Sequence, residues 1–330
     1  SLLGNPQTAT EWLANSYALQ ARYDLAGALA AARKASELSP DFGFALARVA
    51  ELEFSFGRTS EANAALNWAL TFSPRNAQAW ALKGFLLSAQ RDWPSSAEAF
   101  ERAITLDPAL GNAWLGRGLL KIRSGDREGG RNDLQTGAAL EPNRSVLRSY
   151  LGKAFDHARD ENNADRELNL AKQLDAQDPT PWLYSALILR QQLRYNEAVA
   201  DLEKSARLND NRQVYRSRMM LDQDQAVRSA SLATIYRAAG MDEVSVREAA
   251  RAVTYDYANH SAHRFLAESY DALRDPTRFN LRNETVWFNE LLLANMLAPV
   301  GAGNLSQNIS QQEYSRLFAG DRFGLTSVSE

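Results

Sequence analysis

The chain has 330 residues, of which 45% are hydrophobic and 23% are charged, and its formal net charge is −3. It contains no cysteine, which excludes disulfides, thiolate metal sites and a cysteine nucleophile. There is no block of lysine and arginine that could neutralise several phosphates, which argues against nucleic acid as a partner. No run of about 18 apolar residues predicts a transmembrane helix.

Four prolines stand 34 residues apart: Pro40, Pro74, Pro108 and Pro142. Each closes a similar phrase, such as ASELSP or ERAITLDP. Proline lacks a backbone donor and disfavours helix in the residue before it, so each one marks the end of a helix. This period and ending resemble the tetratricopeptide repeat, a pair of antiparallel helices. The resemblance implies an all-α fold, a right-handed superhelical solenoid.

Counting Pro40 as position 32 of a repeat brings four units into register. Trp12, Trp80 and Trp114 then occupy position 4, and small residues such as Gly84 occupy position 8, where the paired helices approach most closely. Residues 1–8 are predicted to be a leader. The six predicted units are residues 9–42, 43–76, 77–110, 111–144, 145–178 and 179–212.

The register becomes weaker towards the end of these six units. Asp178–Pro179 follows the expected closing position of the fifth unit by three residues, which predicts an extension in the turn after its second helix. The sixth unit closes at Asn209–Asp210 without a proline, and residues 213–225 are predicted to be an insert that breaks the phase.

Residues 226–298 are predicted to form degenerate units and a capping helix. The last helix is expected at residues 284–297, and because it is apolar on nearly every side, it should cap the array or be buried. The residues that retain the pattern are Ala233, Tyr236, Gly240 and Ala252 in one unit and Leu266, Ala267 and Tyr270 in the next.

Residues 299–330 differ in composition from the helical part. Gly, Asn, Ser and Gln dominate, and the final residues alternate partly as in a strand, so an irregular linker or tail is predicted. A repeat array followed by such a tail is similar to bacterial outer-membrane proteins with tetratricopeptide domains. That resemblance implies a membrane barrel after Glu330 and a periplasmic or envelope-associated location. A cytoplasmic location is the alternative.

No constellation of residues predicts catalysis or metal binding. His260 and His263 share a helix face, but without an HExxH-type arrangement a satisfied or exposed pair is favoured over a metal site. Asp222 and Asp224 lack the glycine of a calcium loop. G-x-S-x-G, Walker and G-x-G-x-x-G motifs are absent from the sequence. We therefore expect no metal, no cofactor and no enzymatic activity.

The resemblance also implies a concave binding face, lined by positions 2, 5, 6, 9, 12 and 13 of each first helix. The Lys and Asn with which chaperone-binding arrays clamp a carboxylate, at positions 5 and 9, are replaced here, by Leu13 and Tyr17 in the first unit. Roughly half of the face is expected to pack between neighbouring repeats. The predicted partner-binding residues form an apolar, aromatic stripe edged by basic side chains: Tyr17, Phe44, Arg48, Phe54, Leu82, Phe85, Leu119, Ile122, Arg123, Tyr150, Lys153, Tyr184, Leu187 and Arg190.

These features favour a protein-protein interaction scaffold that binds a peptide or helix of a partner protein. One alternative is a periplasmic adaptor segment of an outer-membrane export or assembly protein. A second alternative is the non-catalytic repeat region of a larger enzyme.

Overall fold

The computed structural model of the chain describes residues 6–208, 225–255, 260–273, 280 and 285–297. These residues form helices, turns and loops, and no strand occurs among them. The chain divides into two compact units, unit 1 with residues 1–192 and 200–223, and unit 2 with residues 193–199 and 224–330. The predicted all-α fold class is therefore confirmed.

Unit 1 begins with five helix pairs, in which each odd-numbered helix packs against the even-numbered helix that follows it. Below, the first helix of a pair is called helix A and the second helix B. The helices are α1 Ala9–Gln20, α2 Leu25–Leu38, α3 Gly43–Ser55, α4 Thr59–Phe72, α5 Ala77–Ala89, α6 Trp93–Leu106, α7 Gly111–Ser124, α8 Arg127–Leu140, α9 Ser145–His157, α10 Glu161–Leu174 and α11 Pro179–Gln191. The next helix, α12 Tyr195–Arg207, contains the division between the two units.

The turn between helices A and B has one residue with left-handed backbone. Glycine adopts this conformation without steric cost, but non-glycine residues occupy it in four of the six turns. The residues are Tyr23, Gly57, Arg91, Gly125, Arg159 and Leu193, which stand 34 positions apart. The same turn thus recurs through six consecutive helix pairs, although only two of them have a glycine at this position.

Hydrogen bonds explain why a tryptophan at position 4 accompanies a proline at position 32. The indole Nε1 of Trp80 donates to the carbonyl oxygen of Pro74 at 2.9 Å, and that of Trp114 donates to Pro108 at 2.8 Å. The proline ends one repeat, and the tryptophan lies on the first helix of the next. This bond fixes the entry of each new helix A, because it satisfies a carbonyl that the ended helix leaves without a partner.

Phe100, on α6, fills the space between two successive A helices. It is fully buried, and its ring meets that of Phe85 edge-on, with centroids 5.1 Å apart. A Cβ on Gly84 would lie 2.6 Å from Cε1 of Phe100, and a Cβ on Gly116 would overlap the same ring. The two glycines therefore provide the room for one aromatic side chain on the neighbouring helix B.

We expect Gly84→Leu to lower the free energy of unfolding by about 1–3 kcal/mol, because the added side chain overpacks the space that Phe100 fills. Urea denaturation followed by circular dichroism measures the change. Ala64→Leu adds similar bulk on an exposed face of α4 and serves as the control. An unchanged midpoint for Gly84→Leu would show that α5 and α6 do not meet at this glycine.

The predicted extension after the fifth unit is wrong. Helix α10 ends at Leu174 and α11 begins at Pro179, which leaves the same four-residue connection that separates the earlier repeats. Pro179 is the first residue of α11, a position where its missing donor costs nothing. The Asp178 carboxylate caps this helix by accepting a hydrogen bond from the Thr180 backbone nitrogen at 2.8 Å. This proline therefore starts a helix and does not close one.

Unit 2 contains α13 Gln225–Ala238, α14 Asp242–Tyr255, α15 His260–Leu273 and α16 Val286–Leu297. Helices α13, α14 and α15 share a small core that includes Ala233, Ala252, Leu266 and Tyr270. The last helix is predicted to cap the array or to be buried, and within this chain it is buried on one side only. On α16, Phe288 is buried, whereas several apolar side chains are exposed: Val286, Leu292, Leu293, Met296 and Leu297. A helix buries only the face that meets its neighbours.

Three predicted segments lie largely outside the described residues. The undescribed parts are residues 1–5 of the leader, residues 213–224 of the insert, and the whole tail at 299–330. Their assignments stay predictions. Among the described helices, none combines the length and the apolar character that crossing a lipid bilayer requires.

Candidate protein-binding groove

A cavity of about 540 Å³ opens in unit 1 along consecutive A helices, from α3 to α11. Apolar and aromatic side chains form most of its wall, and basic side chains complete it. Most of these residues lie on the second half of a helix A. The lining residues are Phe54, Phe85, Ser88, Ala89, Arg91, Trp93, Gly116, Leu119, Leu120, Ile122, Arg123, Leu134, Tyr150, Lys153, Ala154, His157 and Tyr184. We call this cavity the groove.

Eight of the fourteen residues predicted to bind a partner line the groove: Phe54, Phe85, Leu119, Ile122, Arg123, Tyr150, Lys153 and Tyr184. They come from five different A helices. Successive repeats place the same helix face side by side, so that residues far apart in sequence share one surface. The structure shows that these residues lie together, and their role in binding stays a prediction.

The sequence predicts Arg48 at the edge of the binding face. The structure instead places it in the interior. It is 1% exposed, and its guanidinium donates to Glu51 Oε2 and to Gln20 Oε1, each at 2.5 Å, and to Ser16 Oγ at 3.0 Å. A buried guanidinium requires such partners because desolvation of an unpaired charge is costly. Its neighbours on α1 thus bury a side chain that the helix position alone assigned to the surface.

Five other predicted residues also lie outside the groove. Leu82 is buried in the core of unit 1. Tyr17 and Phe44 are exposed, with Tyr17 packed under the Arg48 guanidinium and Phe44 beside the ring of Phe42. Two residues of α11 are half-buried and do not line the cavity: Leu187 and Arg190. The groove therefore occupies the middle of the predicted stripe.

Three prominent lining residues were absent from the prediction. His157 is position 13 of the fifth unit, so the position rule could have found it. Arg91 occupies the left-handed turn after α5. Trp93 begins helix α6, and no rule based on A helices could include it. The Arg123 guanidinium stacks over the Trp93 ring, with Cζ 4.3 Å from its centroid.

The basic side chains of the groove contact aromatic rings. Lys153 Nζ donates to the hydroxyl of Tyr184 at 3.2 Å and lies 4.4 Å from the centre of its ring. Burial lowers the pKa of His157 below its ordinary value; Lys153 lowers it further and Asp156 opposes the change. His157 is therefore mostly uncharged at neutral pH, and the positive charge of the groove comes from lysine and arginine.

The described residues contain no group of three or more His, Cys, Asp or Glu side chains placed to hold a metal ion. His263 is buried on α15, with Nδ1 3.1 Å from the Asn280 side-chain nitrogen. The side chain of His260 lies outside the description. The expectation that this chain is not an enzyme stays a prediction.

Comparisons with known proteins identify the fold. No family model matches the chain. It is 26% identical over 145 residues to anaphase-promoting complex subunit 3 of Schizosaccharomyces pombe, a match that covers 44% of this chain and 22% of that protein. The chain thus spans only about a fifth of the length of this relative.

Two solved structures resemble the chain over most of its length. A chain of the crystal structure of the APC/C hetero-tetramer Cut9-Hcn1 aligns with a TM-score of 0.71 and 16% identity, over 91% of this chain and 56% of the other. A tetratricopeptide repeat protein from Parabacteroides merdae aligns with a TM-score of 0.52 and 16% identity, over 80% of this chain and 99% of the other. The chain therefore has the helical-repeat fold of tetratricopeptide proteins, as its sequence predicts.

Proposed function

We propose that the chain is a protein-protein interaction scaffold that holds a segment of its partner, a peptide or a helix, in the groove. The observation that carries this proposal is the apolar, aromatic cavity of about 540 Å³. Five A helices build it together with the turn after α5 and with Trp93 and Leu134 of two B helices. Pockets of this size and character bind ligands by burying apolar groups, while a few polar groups set the orientation.

The arrangement of the wall favours a segment of protein as the occupant. The A helices of five successive repeats contribute to the wall, so the surface extends along several neighbouring helices and suits an elongated ligand. Tyr150 and Tyr184 lie edge to face, with centroids 5.9 Å apart, and both are buried, so they make the wall rigid. The half-buried Leu119 and Ile122 offer accessible apolar surface. Two of the three similar proteins named above are parts of protein assemblies, which is consistent with this function.

Leu119→Gln tests the groove. Leu119 is a half-buried lining residue at the margin of the core, so we expect the polar side chain to weaken partner capture about tenfold or more and to leave the helical circular dichroism signal intact. Phe54 and Phe85 are unsuitable for this test because both are buried and their loss would unfold the repeats.

Leu70→Gln is the matched control, since Leu70 is also half-buried at the core margin but does not line the groove. Affinity capture followed by mass spectrometry compares wild type and both variants. Partners retained by wild type and Leu70→Gln but lost by Leu119→Gln support the proposal. Equal retention by all three proteins would place the binding surface elsewhere.

Location and context remain as the sequence predicts them, periplasmic or envelope-associated, with a cytoplasmic protein as the alternative. The full-length reading frame tests them: a signal sequence and alternating segments of about ten residues after Glu330 would support an export adaptor with a barrel. A catalytic domain in the same frame would instead support the repeat region of an enzyme.

A further inference from the structure

The groove has a marked charge asymmetry. Its lining residues include Arg91, Arg123 and Lys153, together with His157, and contain no aspartate or glutamate. The chain as a whole has a formal net charge of −3, so this positive cluster runs against the overall composition. We call Arg91, Arg123 and Lys153 the rim cations.

The rim cations differ from those basic residues of unit 1 that form ion pairs. Arg117 forms an ion pair with Asp133 at 2.8 Å, and Arg148 forms one with Glu167 at 2.9 Å. Within the described residues, no carboxylate lies within ion-pair distance of a rim cation. The Asp156 carboxylate interacts electrostatically with Lys153 but forms no ion pair with it. The cations of the groove are therefore not neutralised by direct ion pairs.

Two rim cations are held in place by aromatic rings. Arg123 stacks on Trp93, and Lys153 contacts Tyr184. A guanidinium that lies over an aromatic ring still has N–H groups that can donate to a carboxylate. Such pre-positioned cations lose little conformational freedom when an anion binds. The aromatic side chains therefore orient the charge and leave it free to act on a ligand.

All three rim cations lie towards the same end of the A helices. Arg91 follows the last turn of α5, Arg123 is next to the last residue of α7, and Lys153 lies in the second half of α9. The apolar wall, with Leu119 and Tyr150, lies beside them. A bound segment thus meets an apolar surface and a positive edge at the same time.

We propose that the partner segment is acidic and amphipathic: an apolar or aromatic side chain fills the groove, and an aspartate or glutamate beside it binds the rim cations. This inference rests on the proposed function, because it specifies the ligand of the same groove. Carboxylates bind guanidinium and ammonium groups through charge-assisted hydrogen bonds, which are strengthened where water is partly excluded.

Selection from a phage library of random dodecapeptides tests the proposal. We expect selected peptides to combine an aromatic or branched apolar residue with a nearby Asp or Glu. The ratio of acidic to basic residues should rise at least about threefold relative to the unselected library.

Replacing the acidic residue of a selected peptide by Gln or Asn in a synthetic version should weaken binding about tenfold. Raising the ionic strength from about 0.05 to about 0.5 M should also weaken it.

The double variant Arg91→Gln/Arg123→Gln removes two exposed rim cations and should bind the acidic peptide at least about tenfold more weakly. Its neutral counterpart should bind both proteins about equally. The control Arg22→Gln/Arg75→Gln removes the same charge from exposed residues that do not line the groove. We expect the control to bind like wild type.

The outcomes separate the two proposals. Selected peptides that are apolar without acidic residues, or that bind the rim variant and wild type equally, would overturn the acidic ligand but leave the scaffold function standing. If neither wild type nor the control selects any peptide, the groove is not a peptide site and both proposals fail. Loss of binding by the control as well would show that overall charge, and not the rim cations, attracts the peptide.

Discussion

Arg48→Met is expected to lower the free energy of unfolding of the first repeats by about 3–5 kcal/mol. The reason is the Glu51 carboxylate, which is buried with Arg48 and would remain without its charged partner. The remaining hydrogen bond, from Gln78 at 3.3 Å, cannot replace a guanidinium. Since each repeat contacts mainly its neighbours, the loss should be local. Hydrogen exchange over α1–α5 and urea denaturation measure it.

A second substitution identifies the cause. In Arg48→Met/Glu51→Leu the buried carboxylate is also removed, and we expect the double variant to regain more than half of the lost stability. Lys34→Met breaks an exposed pair, with Glu37, at the same spacing, and should change stability by about 1 kcal/mol or less. If the double variant is no more stable than Arg48→Met, the loss comes from packing and not from an unpaired charge.

Phe100→Ala is the second large effect, with an expected loss of about 3–5 kcal/mol. The side chain is fully buried, and glycines at positions 84 and 116 leave room for it alone. Its removal creates a cavity between α5, α6 and α7 that rigid helices cannot close completely. Urea denaturation measures the loss, and hydrogen exchange should show reduced protection in these three helices first.

Phe72→Ala is the matched control for this prediction. Phe72 is 45% exposed and stacks on Trp68, with centroids 5.8 Å apart, so its loss should cost about 1 kcal/mol or less. Similar losses for the two variants would mean that Phe100 does not act as the wedge between repeats.

Part of the groove was predictable, because helix position determines which face a side chain occupies. Phe54, Leu119 and Lys153 follow from counting along the repeat, and the structure places all three in the cavity. Trp93 could not be predicted in this way, since it reaches the groove from the start of a helix B. Counting along the repeat misplaces Arg48 for a different reason. Its helix position suits the groove, but hydrogen bonds to Ser16 and Gln20 of α1 hold its side chain in the interior.

The sequence by itself determined the repeat and its helices. Closing prolines and small residues act on local backbone and on contacts between adjacent helices, and they recur every 34 residues, so the pattern can be read without a structure. Pro179 shows the limit of that rule, since a proline can also begin a helix.

Only the tertiary structure decided how charges are compensated. Whether a cation meets a carboxylate, an aromatic ring or open groove depends on side chains that are distant in sequence, such as Arg148 with Glu167 or Arg123 with Trp93. The period of the sequence specifies helix faces but not these pairings. The positive rim of the groove, and the acidic ligand proposed for it, therefore follow from the packing of the repeats.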